Sequence, residues 1–319
     1  MKLDATKIRN IDCAKTFTEN SYKINCIDFS PDGTSMITSS DDDSIVVYNL
    51  TAGVRDKGIQ VNSKKYGVGL IRYAHNPTTA IHSSTKVDDS LRYLSLHDNK
   101  YLRYFPGHTK KVTCLCMSPQ DDMFLSGSLD KSIRLWDLRS QNCQGLMQVN
   151  GRAIAAFDPE GLIFGAGINN EHIKLYDLRS FDKGPFMTFQ VGKELDNAEW
   201  TGIEFSPDGK LIMLNTNSDY IKIVDAFHGD TKAVLRGHSN EKNEVMEATF
   251  TPDSQFVFCG SSDAHLHCWY AESGNIVSRT ATEHESSMRI TKFNPKYFLL
   301  ATACSKLSLW LPNNTLEDE

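Results

Sequence analysis

Seven of the ten prolines in this 319-residue chain stand at nearly even intervals. Pro31, Pro77, Pro119, Pro159, Pro207, Pro252 and Pro295 are separated by 46, 42, 40, 48, 45 and 43 residues. A period of this size means that one supersecondary unit recurs and that neighbouring units must bury each other's apolar faces.

The text around each proline repeats as well. "INCIDFSPDGTSMITSSDDDSIVVYN", "VTCLCMSPQDDMFLSGSLDKSIRLWD", "AIAAFDPEGLIFGAGINNEHIKLYD", "TGIEFSPDGKLIMLNTNSDYIKIVD" and "MEATFTPDSQFVFCGSSDAHLHCWY" share a plan, and "LIRYAHNPTTAIHSSTKVDDSLRYLS" and "RITKFNPKYFLLATACSKLSLWLP" are worn copies. An alternating strand ends at an aromatic or Met before x-Pro. A turn follows, with Asp-Gly at Asp32-Gly33 and Asp208-Gly209. A second strand, a second turn and a third strand come next. The third strand closes on Tyr48, Tyr93, Trp136, Tyr176, Val224, Trp269 or Trp310, which in five units lies 17 residues after the proline.

Short strands, even turns, Trp-Asp endings and Gly-His starts at Gly107-His108 and Gly237-His238 resemble the WD-repeat β-propellers. Seven units use essentially the whole chain, so the expectation is all-β: a single seven-bladed WD-repeat β-propeller over residues 1–319. The last unit stops soon after its third strand. The segment "DCAKTF", residues 12–17, alternates like an outer strand and is expected to pair into the last blade, closing the circle by hydrogen bonds. Residues before it, and a short acidic tail over 312–319, are expected to be mobile or on the surface.

Composition narrows the function classes. A net charge of -6 and a pI near 5.9 disfavour direct nucleic-acid binding. The first 15 residues do not read as a secretory signal, and no apolar run approaches membrane-spanning length. The expected compartment is cytosol or nucleus, with no membrane contact. The eight cysteines contain no C-x-x-C pair and read as free thiols, with no disulfide and no zinc site.

The acidic run Asp41-Asp42-Asp43 invites a cation-binding or acid-base reading. Counting back six residues from the closing aromatic gives Asp42, Asp130 and Asp263, so Asp42 holds a repeated structural position. The WD-repeat resemblance implies that this Asp joins the Gly-His histidine, a strand hydroxyl and the closing Trp in one network. That network would be His108, Ser126, Asp130 and Trp136 in the third unit, and His238, Asp263 and Trp269 in the sixth, where Cys259 replaces the hydroxyl. Ser, His and Asp together also resemble a hydrolase triad, but a triad needs an exposed nucleophile and these groups are expected between strands. His265 and His267 share a strand face, yet two ligands without a third make a poor metal site. No phosphate loop, dinucleotide pattern or nucleophile elbow occurs, so no cofactor is expected.

The surface remains. Lys64, Lys65, Tyr66, Arg72 and Tyr73 form one basic-aromatic stretch, and Tyr101, Arg103, Tyr104, Phe105, Lys110 and Lys111 form another. Such residue types suit a partner chain or a phosphorylated peptide, while the alternative packs the aromatics between blades and leaves the charges in solvent. "DLRSFDKGPF", 177–186, and "SNEKNE", 239–244, lengthen their connections and are exposed-loop candidates.

Whole phrases carry a narrower resemblance. "SSDDDSIV", "SKKYGV", "RYLSLHDNKYLRYFPGH", "SGSLDKSIRLWDLRS", "NCQGLM", "DPEGLIF", "KLYDLRSFDKGPF", "EWTG" and "FTPDSQF" are similar to the WD-repeat subunit of the SET-domain histone lysine-4 methyltransferase complexes known as COMPASS. The similarity spans nearly the whole chain, including loops. It implies a non-catalytic, nuclear, chromatin-associated adaptor, a monomer within a hetero-complex. The implied partners are the methyltransferase's amino-terminal region and the phosphorylated C-terminal domain of RNA polymerase II. A protein phosphatase one assembly and transcription-termination machinery are implied too. Lys64, Lys65, Arg103, Lys110 and Lys111 are the expected phosphate contacts. "VGKELDNAEW" and "GHSNEKNEVME" depart from the family pattern, which places partner contacts there in doubt.

Overall fold

The computed structural model describes residues 3–313 except 19, 21 and 193–197. The acidic tail beyond Asn313 and the "KELDN" part of the departing segment lie outside the described residues. What is described folds into seven four-stranded antiparallel sheets, the blades of a β-propeller. The first blade takes Ile24–Phe29, Ser35–Ser40, Ser44–Asn49 and Val54–Asn62 in chain order, and the next five repeat that order.

Local chemistry sets each blade's first turn. In the Ser30-Pro31-Asp32-Gly33 turn, Asp32 Oδ1 accepts from Ser30 Oγ at 2.6 Å and from Thr34 N at 3.0 Å, while Gly33 takes φ +72°. Ser206 with Asp208 and Thr251 with Asp253 repeat the hydroxyl-to-carboxylate bond at 2.7 Å in each case. The proline preceding each Asp presets φ and cannot extend the strand.

Closure is by a strand from the other end of the chain. Ile11–Phe17 pairs antiparallel with Leu307–Pro312, with Cys13 opposite Trp310 and Phe17 opposite Leu307. The last blade is thereby completed with its fourth strand, which covers the outer edge of Leu307–Pro312.

The core is divided into seven apolar clusters, and each spans one seam between consecutive blades. Across the closing seam, Phe17, Ile290 and Leu309 meet Ile27, Phe29 and Tyr48. Phe105 of the second blade meets Phe124 and Trp136 of the third. Burying a side chain of this size stabilises by roughly 1.5 to 3 kcal/mol, so each seam holds several such contributions.

The residues before the closing strand are on the surface but docked. Ala5–Arg9 form a short helix, with Asp4 Oδ1 accepting from Thr6 N at 3.1 Å. Ile8 is fully buried, and with Leu3 and Ile11 it packs on Phe256 and Val277 at the seam of the sixth and seventh blades. Leu3 N also donates to Asp253 Oδ2 at 2.7 Å. Leu3, Ile8 and Ile11 supply an apolar side that the neighbouring seam can cover, so this segment is docked.

Antiparallel order gives the disc two distinct faces. Proline turns and third-to-fourth strand turns lie on one, the proline face. Second-to-third strand turns and the connections between blades lie on the other, the connection face.

Candidate functional site

On the connection face of the third blade, four side chains form a directional chain of hydrogen bonds. Trp136 Nε1 donates to Ser126 Oγ at 2.8 Å, Ser126 Oγ lies 2.7 Å from His108 Nε2, and His108 Nδ1 lies 2.8 Å from Asp130 Oδ2. Asp130 accepts further bonds from Thr109 N, Ser132 N and Ser132 Oγ. Burial tends to raise the Asp130 carboxyl, but its hydrogen bonds from Ser132, His108 and Thr109 win and bring it down to about 2. Burial lowers His108, against the opposing pull of Asp130, which keeps the ring neutral with Nδ1 as donor. This is triad chemistry without triad access. Ser126 is fully buried, and its oxygen is already occupied by the indole N–H.

The sixth blade does not form the expected network. Trp269 Nε1 donates to Arg236 O at 2.9 Å, Asp263 pairs with Arg279 at 2.8 Å, and His238 Nδ1 has no partner among the described residues. With Cys259 in the hydroxyl position, nothing bridges indole to imidazole. In the first blade Asp42 caps only its own turn, accepting from Ser44 N at 2.9 Å. Its neighbours go elsewhere: Asp41 accepts from Asn25 Nδ2 and Asp43 pairs with Lys86.

A second complete network stands in the seventh blade, which reads as a worn copy. Trp310 Nε1 donates to Thr302 Oγ1 at 2.8 Å, His284 Nε2 lies 2.9 Å from Thr302 Oγ1, and His284 Nδ1 lies 3.1 Å from Cys304 Sγ. Histidine and hydroxyl are 18 residues apart here, as in the third blade.

The central channel carries charge. Just before the aromatic that ends each first strand, four of the seven blades place Asp28, Arg72, Glu204 and Lys292. Arg72, Glu204 and Lys292 line a channel cavity of about 360 Å³, with Cys114, Cys116 and Glu247. Burial pushes Asp28 and Glu204 up, opposed in both by Arg72 and Lys292, while Lys292 is itself raised by Glu204. Acids and bases from different blades thus neutralise one another in the hole. His267 is buried and stacks on Trp269, and among the described residues no group of three ligand-type residues stands together.

The nine surface candidates separate. Lys64, Lys65, Lys110 and Lys111 are exposed on two successive inter-blade connections of the connection face. Tyr66 lies beside the first pair, with the Arg92 guanidinium 3.5 Å over its ring and Tyr101 against its edge. Lys111, Arg152 and Arg289 line a depression of about 300 Å³ at the channel mouth. Three candidates are corrected. Arg72 is inside the channel, its guanidinium on Cys26 Sγ and Ile71 O. Phe105 is buried in the seam against Phe124, because its strand turns that side toward the third blade. Arg103 reaches across the outer edge to Leu138 O, away from the lysines, and its neighbours Leu102 and Tyr104 are open to solvent there.

Comparison with known proteins places this architecture. A model of the WD domain, G-beta repeat, matches residues 11–49, 99–137 and 229–270. The chain is 57% identical over 314 residues to WD repeat-containing protein 82 of Drosophila melanogaster, covering 98% of each. It is 35% identical to Set1 complex component swd2 of Schizosaccharomyces pombe, over 90% of this chain and 92% of that protein. Against COMPASS component SWD2 of Saccharomyces cerevisiae the identity is 32%, over 95% and 94%. The chain belongs to the WD-repeat family that contains these three proteins and is a non-catalytic scaffold protein.

Proposed function

We propose that this propeller is a nuclear, chromatin-associated docking subunit of a Set1/COMPASS-type histone lysine-4 methyltransferase complex. It holds the amino-terminal region of the SET-domain subunit and links it to phosphorylated C-terminal repeats of RNA polymerase II. The observation that carries the reading is similarity along nearly the full length to two proteins named as components of the Set1 complex and of COMPASS. The connection face supports the finer part. Lys64, Lys65, Lys110 and Lys111 are solvent-exposed there, and among the described residues no carboxylate pairs with any of them. A phosphoserine carries close to two negative charges at neutral pH and is met well by such ammonium groups.

Titration of a doubly phosphorylated two-repeat polymerase peptide into the wild type and the Lys110→Glu, Lys111→Glu double variant tests this. Loss of two such contacts is expected to weaken binding by roughly tenfold or more without lowering Tm, since both residues are exposed. Equal affinity for the two proteins rejects the assignment.

A further inference from the structure

The insertion 177–186 has no part in the reading above, yet it is well folded. Asp177 Oδ1 accepts from Arg179 N at 2.8 Å, Leu178–Lys183 wind into a 3-10 turn, and Phe181 packs inward with its ring 5.8 Å from that of Phe164. The next residues do not follow it inward. Phe186 and Met187 remain 55% and 41% exposed, although Phe186 N is tied to Leu175 O at 3.0 Å. Across the seam the fifth blade presents Phe227, 65% exposed, on a turn in which Phe227 N and His228 N both donate to Asp225 Oδ1 at 2.9 Å. Gly229 lets that turn close down on the seam. Its φ is +79°, and a Cβ there would meet Phe189 at 2.3 Å.

Between these elements, on the proline face, lies a cleft of about 450 Å³ walled by Phe186, Met187 and Phe227 and floored by Ile163, Phe189 and Phe205. Three carboxylates line it, Asp158, Glu160 and Asp208, and no Lys or Arg does. Lys210 reaches Asp208 at 3.6 Å from outside the lining, and Glu160 is exposed. Exposed aromatics on hydrogen-bonded backbone beside a preformed cleft are what a binding hot spot requires, because little ordering is left to do on association.

We propose that this cleft docks an extended segment of a partner protein in which a bulky apolar side chain is flanked by Lys or Arg. The apolar floor and the two exposed Phe rings select the anchor. The carboxylate rim selects its flanks and disfavours phosphate-bearing ligands, nucleic acid and anionic lipid included. This site lies on the face opposite Lys110 and Lys111, so its occupant and an acidic phosphopeptide on the connection face bind without excluding each other. The inference does not depend on the function proposed above.

A random 12-residue peptide phage library, selected on the immobilised full chain and counter-selected on the Phe227→Ser variant, supplies the probe. Enriched peptides are expected to carry an aromatic or large aliphatic residue with Lys or Arg within three positions. A synthetic peptide from that set should bind Phe227→Ser at least about tenfold more weakly and Glu160→Lys several-fold more weakly. Its affinity for the Lys110→Glu, Lys111→Glu variant should be unchanged. Phe186→Ser is the independent second lesion, and Tm is recorded for every variant. No enrichment, enriched peptides without basic residues, or wild-type affinity for the Phe227→Ser and Phe186→Ser variants overturns the proposal. So does concentration-dependent dimerisation of the wild type that Phe227→Ser abolishes, which would assign the cleft to a second copy of this chain.

Discussion

His284 Nδ1 stands 3.1 Å from Cys304 Sγ in the relation that His108 Nδ1 bears to Asp130 Oδ2 at 2.8 Å. A thiol has replaced a carboxylate as the acceptor at the end of a Trp, hydroxyl and imidazole chain. Burial alone would raise the thiol, but hydrogen bonds from His284 and from Lys306 N bring it down to about 6.

Cys304 is therefore expected to be a thiolate at neutral pH. It lines a cavity of about 180 Å³ with Lys23 and Lys242, large enough for a small alkylating reagent. Iodoacetamide labelling of the native protein, read by mass spectrometry, should rise through a midpoint near 6, and His284→Asn should move that midpoint up toward the ordinary thiol range. A wild-type midpoint near 9 would sink the idea.

The third and sixth blades should respond unequally to loss of the turn Asp. Asp130→Ala leaves His108, Thr109 N and the Ser132 groups without their acceptor and is expected to cost about 3 kcal/mol. Asp263→Ala removes a half-exposed pair with Arg279 and should cost about 1 kcal/mol or less. Urea denaturation of both variants decides it, and equal losses would mean that the third-blade network adds nothing.

Ile8→Ala should destabilise by about 2 to 4 kcal/mol, because the side chain is fully buried between the sixth and seventh blades. If the segment before Ile11 were loose, the substitution would leave the urea midpoint unchanged.

The channel charges predict a pH signature. Lys292→Met removes a cation that stabilises the ionised forms of Glu204 and Asp28, so both carboxyls, already raised by burial, rise further. A raised carboxyl pKa means that folding binds protons in this range, so the variant recovers stability relative to wild type as pH falls from 7 to 5. Adding Glu204→Gln should restore part of the loss at pH 7. A deficit constant from pH 5 to 7 would show that Lys292 does not act through these carboxyls.

Much of the fold was legible in the sequence because a propeller writes its period into its turns. The proline ladder located the blades, and the missing fourth strand after Trp310 pointed to Ile11–Phe17. The seventh-blade network is hidden in the sequence because that blade lacks a Gly-His pair and a turn Asp. The surviving signal was spacing, since His284 and Thr302 keep the separation of His108 and Ser126. Arg72 and Phe105 misled for a different reason. Basic-aromatic composition does not say which side of a strand points inward, and that is decided by the register against the next strand and by the neighbouring blade. The cleft beside Phe227 was partly readable as an unexplained insertion, but its other wall comes from a blade whose sequence shows nothing unusual.

Pairing the first strand with the last also imposes a timetable on synthesis. Ile11–Phe17 leaves the ribosome roughly 300 residues ahead of its mate Leu307–Pro312. At about 5 to 20 residues per second, close to 300 residues take roughly 15 to 60 s. Throughout that interval the first blade must hold Ile27, Phe29 and Tyr48 toward a neighbour not yet translated. Until the last strand arrives, the nascent chain is an open arc whose two ends expose the apolar faces that the closing seam will bury.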